Sequence, residues 1–94
     1  MKLFKSTDEK LRELGFIKTD QGGHGASYER KMRNYTQVVA LVRKKYGDAI
    51  LQSYDRGLFD AGYTGNICVG LTYREARLFL RKMRELGLHY KNAQ

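Results

Sequence analysis

Residues 36–55, "TQVVALVRKKYGDAILQSYD", decide how this chain folds. Two β-prone runs flank "KYGD" (45–48), a connection suited to a type I turn with a glycine bulge, Gly47 taking positive φ. That turn sets the register. Val42 then pairs with Ile50, Ala40 with Gln52 and Val38 with Tyr54 on one face. Leu41 with Leu51, and Val39 with Ser53, lie on the other. Both faces are partly apolar, so a second layer, or a second chain, has to cover the face that the main core does not use.

Working toward the N-terminus, "ASYERKM" (26–32) alternates weakly and reads as a strand preceding 36–44 and 49–55 in an antiparallel meander. "TDQGGHG" (19–25) reads as a flexible turn. Its glycines are not followed by the Lys-Ser pair of a phosphate-cradling loop. In "STDEKLRELGF", Ser6 and Glu9 have the spacing of a capping box, Asp8 and Glu9 suit the positive end of a helix dipole, and Gly15 stops the helix, giving a helix over 7–14.

Toward the C-terminus, "GLFDAGYTGNICVGL" (57–71) is a long connection. Leu58, Phe59 and Tyr63 are placed to fold back over the second face, and 66–70 is a candidate for a short fourth strand. "TYREARLFLRKMRELGL" (72–88) closes the chain with a helix over 73–86, capped by Thr72 and Glu75 and ended by Gly87. At about 100° per residue, Ala76, Phe79, Leu80, Met83 and Leu86 gather as its core stripe. "KLRELGF" (10–16) and "KMRELGL" (82–88) share one pattern. Both read as Schellman endings, with Leu11 beneath Phe16 and Met83 beneath Leu88, rather than as a duplicated module. The expected architecture is a single α+β domain over 1–94, in α-β-β-β-α order, with a three-stranded antiparallel sheet packed by two helices.

Composition narrows the function. At 41% apolar and 12% aromatic residues, the 94-residue chain is globular rather than disordered. One cysteine forms no internal disulfide, and no apolar run approaches a membrane span or a signal peptide, which makes a cytoplasmic protein the expectation. Eighteen Lys and Arg against ten Asp and Glu leave a net charge of +8, which favours an anionic partner.

That charge is concentrated. Arg74, Arg77, Arg81 and Arg84, spaced three, four and three, share an ~80° sector of the closing helix. Arginine forks suit phosphate oxygens. The alternative is a solvated face in which arginine pairs along the helix, as Arg81 would with Glu85. A second cluster runs from Arg30, Lys31 and Arg33 to Arg43, Lys44 and Lys45, with Arg33 and 43–45 at opposite ends of the central strand. Lys44 and Lys45 are the candidates there for a second phosphate contact, or else charges that deter edge aggregation. Tyr28, Tyr35, Tyr46 and Tyr54, interleaved with these cations, can stack on bases or simply pack.

Catalysis finds little purchase. Cys68, between Ile67 and Val69, has the setting of a buried inert thiol, and neither His24 nor His89 has a partner signature. Asp20, His24, Asp48, Asp55, Asp60 and His89 are too scattered for metal ligation. No enzyme, metal site or cofactor is expected, and the basic helix needs its apolar face for the core rather than for a membrane.

Two resemblances add to this. The α-β-β-β-α order, roughly Thr7 to Leu86, resembles the double-stranded RNA-binding domain, which implies a basic second helix near phosphates. Here "GLTYREARLFL" carries Gly70, Arg74 and Arg77 in place of that family's lysine cluster. The "LRELGF" helix, the "YER" strand, the "QSYD" strand end and "GLTYREA" are similar to short uncharacterised proteins of phages and prophages of Gram-positive bacteria. That resemblance implies a mobile-element accessory protein. The sequence therefore points to a binding protein: of nucleic acid, of an anionic protein, or of a second copy as a homodimer.

Overall fold

The computed structural model describes residues 4–45 and 48–88. The elements run α1 (Thr7–Glu13), β1 (Ile17–Gly22), β2 (Gly25–Lys31), β3 (Thr36–Val42), β4 (Ile50–Asp55), α2 (Arg56–Asp60) and α3 (Tyr73–Glu85). The four strands form one antiparallel sheet in the order β1-β2-β3-β4. The expected α+β meander is there, extended by one edge strand and one short helix.

The β3–β4 register is the one that the hairpin sequence dictates, from Val42 opposite Ile50 to Val38 opposite Tyr54. Gly47, assigned positive φ from sequence, lies outside the described residues, as do Tyr46 and His89. One sheet face carries Ala26, Tyr28, Val39 and Leu41, all buried beneath α1 and α3 with Leu11, Phe16, Phe79 and Met83. The aromatic centre is tightly ordered, with the Phe79 ring edge-on to Phe16 at 5.0 Å and to Tyr28 at 5.4 Å.

Both helices end as their shared pattern requires. Gly15 and Gly87 adopt φ of 97° and 75°. Phe16 N–H donates to Leu11 C=O at 3.0 Å, and Leu88 N–H to Met83 C=O at 2.7 Å. These are the long bonds of two Schellman motifs, and all four residues are buried.

The second sheet face is closed by the 57–71 segment. Asp55 ends β4 and caps α2 in one step, its side chain accepting from Leu58 N–H. α2 turns back over β3, Phe59 meets the Tyr54 ring at 5.2 Å, and Arg56 bonds Glu29. Residues 67–69 then run beside β4. Asp55 N–H donates to Ile67 C=O, Val69 N–H donates to Ser53 C=O, and Tyr54 bridges Cys68. The candidate strand at 66–70 is this single bridge.

Three expectations are corrected. The segment 19–25 is not a flexible turn: Ile17–Gly22 is a strand, and only Gly23 and His24 connect it to β2. Every residue of β1 is exposed, so no apolar alternation betrays it, and its ladder bonds to β2 hold it in place. Gly25, at φ 134°, passes so near β3 that a Cβ there would lie 1.8 Å from the Leu41 carbonyl oxygen. Cys68 is exposed rather than buried, because alternation along the bridged segment turns its flanking neighbours inward.

The third correction concerns α3. Phe79 and Met83 are buried and Leu86 and Ala76 half-buried, as the stripe requires, but Leu80 is 54% exposed and Leu78 only 9%. The helix is rolled by roughly 60° from the wheel's expectation. Polar bonds roll it. Glu75, 6% exposed, accepts from Arg30 Nη1 at 2.8 Å, while Arg30 Nη2 donates to Gln37 Oε1 at 2.9 Å and Gln37 Nε2 to Ser53 Oγ at 2.8 Å. Further along, Lys82 reaches Asp8 at 3.3 Å, and Thr7 Oγ1 donates to Glu85 at 2.6 Å. A wheel weighted by hydrophobicity turns Glu75 and Lys82 outward; here both face protein.

This roll has a measurable consequence. Leu78→Ala should cost about 2–5 kcal/mol of stability as a core truncation, and Leu80→Ala within about 0.5 kcal/mol of nothing. Chemical denaturation followed by circular dichroism measures both, and equal losses would contradict the roll.

Candidate nucleic-acid interface

Rolling α3 inward at Glu75 and Leu78 turns its opposite side squarely to solvent. Arg74, Arg77, Arg81 and Arg84 are all exposed. They occupy the outward pole of the helix rather than a flank of its apolar stripe. With a rise of 1.5 Å per residue the row is about 15 Å long.

None of the four is neutralised by a carboxylate among the described residues. The carboxylates along the helices are engaged elsewhere. Glu75 bonds Arg30 and the Thr72 backbone, and Glu85 turns to Thr7 and, at 3.9 Å, to Lys82. Asp8 takes Lys18, Lys82 and Tyr28, and Glu13 takes Lys5. The Arg81–Glu85 pair that a solvated-face reading supplies does not form.

Three of the arginines belong to a concave site. Arg74, Arg77 and Arg81 line one wall of a groove of about 320 Å³ between α3 and α1. Leu78 is part of the lining, Lys5, Lys10 and Glu13 contribute from the α1 side, and Tyr73 completes it. Arg84 lies one turn beyond, exposed but outside the groove. Lys44 and Lys45 follow the end of β3 and do not line it either. The neighbouring Arg43 donates to Gly87 C=O at 3.2 Å, tying the end of β3 to the turn that follows α3.

Sequence reasoning thus found three groove arginines and missed Lys5, Lys10 and Tyr73. The lysines were out of reach, because nothing in the sequence says that α1 lies beside α3 with Lys10 toward it. Tyr73 was legible: it stands four residues before Arg77, hence beside it, and the guanidinium carbon is 5.6 Å from the ring centroid. Of the tyrosines weighed for stacking, Tyr28 is buried in the core and Tyr35 and Tyr54 are half-buried.

Among the described residues no three His, Cys, Asp or Glu side chains gather as metal ligands. His24 bonds Asp20 at 2.8 Å on the exposed β1–β2 hairpin. Among the described residues no helix is long and apolar enough to cross a membrane.

Two titrating clusters hold the platform beneath the groove. Burial pushes the Glu75 carboxyl up, but bonds from the Thr72 backbone and from Arg30 outweigh it and hold the group below its usual range. Burial likewise opposes ionisation of Asp8, and bonds from Tyr28 and Lys18 with the charge of Lys82 again win, lowering it. The Tyr28 phenol is pushed far up, first by burial and then by its bond to Asp8.

Compared with known proteins, the chain matches no family model, no curated protein and no solved structure.

The titration shifts fix a pH profile. Asp8 and Glu75 have lowered folded values, so their contribution is present above the ordinary carboxylate range near pH 4 and disappears as pH falls below it. Tyr28 has a raised value, so its contribution is present below about pH 10 and is lost as pH climbs further. Thermal melts from pH 2 to pH 12 should show both limbs. Tyr28→Phe should flatten the alkaline one, and an unchanged limb in that variant would refute the assignment.

Proposed function

We propose that the protein binds nucleic acid without catalysing a reaction, by phosphate contacts along the α1–α3 face. The observation that carries this reading is the absence of any carboxylate partner, among the described residues, for an exposed row of arginines. Ten acidic residues are available to a chain of net charge +8, and those near α3 are drawn to Arg30, Lys82, Thr7 and Lys5 instead. Unpaired guanidinium forks on a rigid helix suit phosphate oxygens at little reorganisation cost.

Arg74, Arg77 and Arg81 with Lys10 supply four contacts, and Arg84 extends the row. Lys44 and Lys45, at the far end of β3, belong to this proposal only as outlying charges. Contacts to phosphate position a strand without reading its sequence, so base specificity is low. An accessory protein of a phage or other mobile element working in the cytoplasm is compatible with such an activity.

Self-association has less to recommend it. The motive for a dimer was a second apolar sheet face, and its central residues Val38 and Ala40 are already 2% and 8% exposed in the single chain. Sedimentation at micromolar concentration should therefore report a monomer; a dimer would return that face, with Phe59 and Tyr63 exposed beside it, to consideration.

Anisotropy with labelled oligonucleotides across a salt series tests the main reading. Four phosphate contacts give a log–log slope of about −3.6 on duplex DNA and about −2.8 on a single strand. Replacing Arg74, Arg77 and Arg81 together by Ala should remove roughly three quarters of that slope, since each contact contributes equally to it. No binding at low salt, or binding that the triple variant leaves intact, would overturn the proposal.

A further inference from the structure

Tyr73 is the first residue of α3 and 78% exposed, the most exposed large apolar side chain of the helices and sheet. It lies on the wall of the α1–α3 groove beside Arg74, Arg77 and Arg81. Its ring is held beside Arg77, with the guanidinium carbon 5.6 Å from the centroid. An exposed aromatic ring costs solubility and returns nothing to the fold. In a cationic groove it gives what phosphate contacts lack, a flat surface for a base.

We infer that the groove takes single-stranded nucleic acid, with an unpaired base stacked on Tyr73 and its flanking phosphates held by Arg74, Arg77 and Arg81. This rests on the phosphate-binding reading and specifies its substrate class. In a duplex each base is stacked between its neighbours, so the ring finds a partner only if the strand is unpaired or a base is flipped out at a cost of a few kcal/mol. The groove, at about 320 Å³, falls at the small end of ligand-site volumes (~300–1,000 Å³). It is large enough for a nucleotide unit. Stacking is tolerant of sequence because every base has a π-face, and the 2′-hydroxyl plays no part in it, so DNA and RNA strands are both substrates.

The test compares wild type, Tyr73→Ala, Tyr73→Phe and the triple arginine variant on one mixed-sequence oligonucleotide, as DNA strand, RNA strand and DNA duplex. Circular dichroism confirms folding. Tyr73→Ala should weaken both single strands by roughly 5- to 150-fold, the loss of one stacked base, with little change in salt slope. Tyr73→Phe should keep most of the affinity, and the duplex should bind more weakly than either strand and ignore the tyrosine. Unchanged single-strand affinity in Tyr73→Ala, with loss in the arginine variant, would overturn the stacking inference and leave phosphate binding standing. Equal losses on strand and duplex would also overturn it, since the ring would then act only by holding Arg77. If neither variant loses affinity, both ideas fail.

Discussion

The structure turns on Arg30. From the middle of the sheet it donates to Glu75 on α3, to Gln37 on β3 and to the Leu14 carbonyl at the end of α1, with its guanidinium 4.1 Å from the Phe16 ring centroid. One side chain thereby fixes the sheet, both long helices and an aromatic of the core. Removing either charge of a buried pair costs about 3–5 kcal/mol, because the other is left buried and uncompensated. Glu75 also accepts from the Thr72 N–H that opens α3, so the same carboxylate sets where the helix begins and which side of it faces inward.

That orientation governs the surface. With Glu75 turned to the sheet and Glu85 bonded to Thr7, the two acidic residues of α3 are engaged away from its arginines, which have no carboxylate partner among the described residues. Part of the excess positive charge is therefore lined up along one helix, beside a groove that α1 completes. Arginine alone would make such a row sticky to any polyanion. The Tyr73 ring at its head adds shape to charge, which is the combination that single-strand binders use.

Much of the fold was legible because its signals are local. The two capping boxes and the two Schellman endings depend on residues three to five positions apart, and both pairs formed as read. The β3–β4 register followed from the flanking residues of one turn. What escaped notice lacked a local signature. β1 is exposed along its whole length, and its strand character comes from the edge of β2 that it completes. Cys68 looked buried from its neighbours, but a segment bridged at one point to β4 alternates, and its thiol faces out.

For the site the division falls between inventory and arrangement. The sequence alone determined that α3 would be amphipathic, that its arginines would share one sector, and that Tyr73 would stand beside Arg77, since a helix repeats every 3.6 residues. Only the tertiary structure decided that those arginines would have no carboxylate partner among the described residues. The wheel ranks Glu75 and Lys82 as wet because it weighs each side chain against water, whereas the folded chain weighs each against a partner contributed from far along the sequence. Arg30 is 45 residues from Glu75, and Asp8 is 74 from Lys82. A charge that finds such a partner can go inside, and the rest of the helix rolls with it.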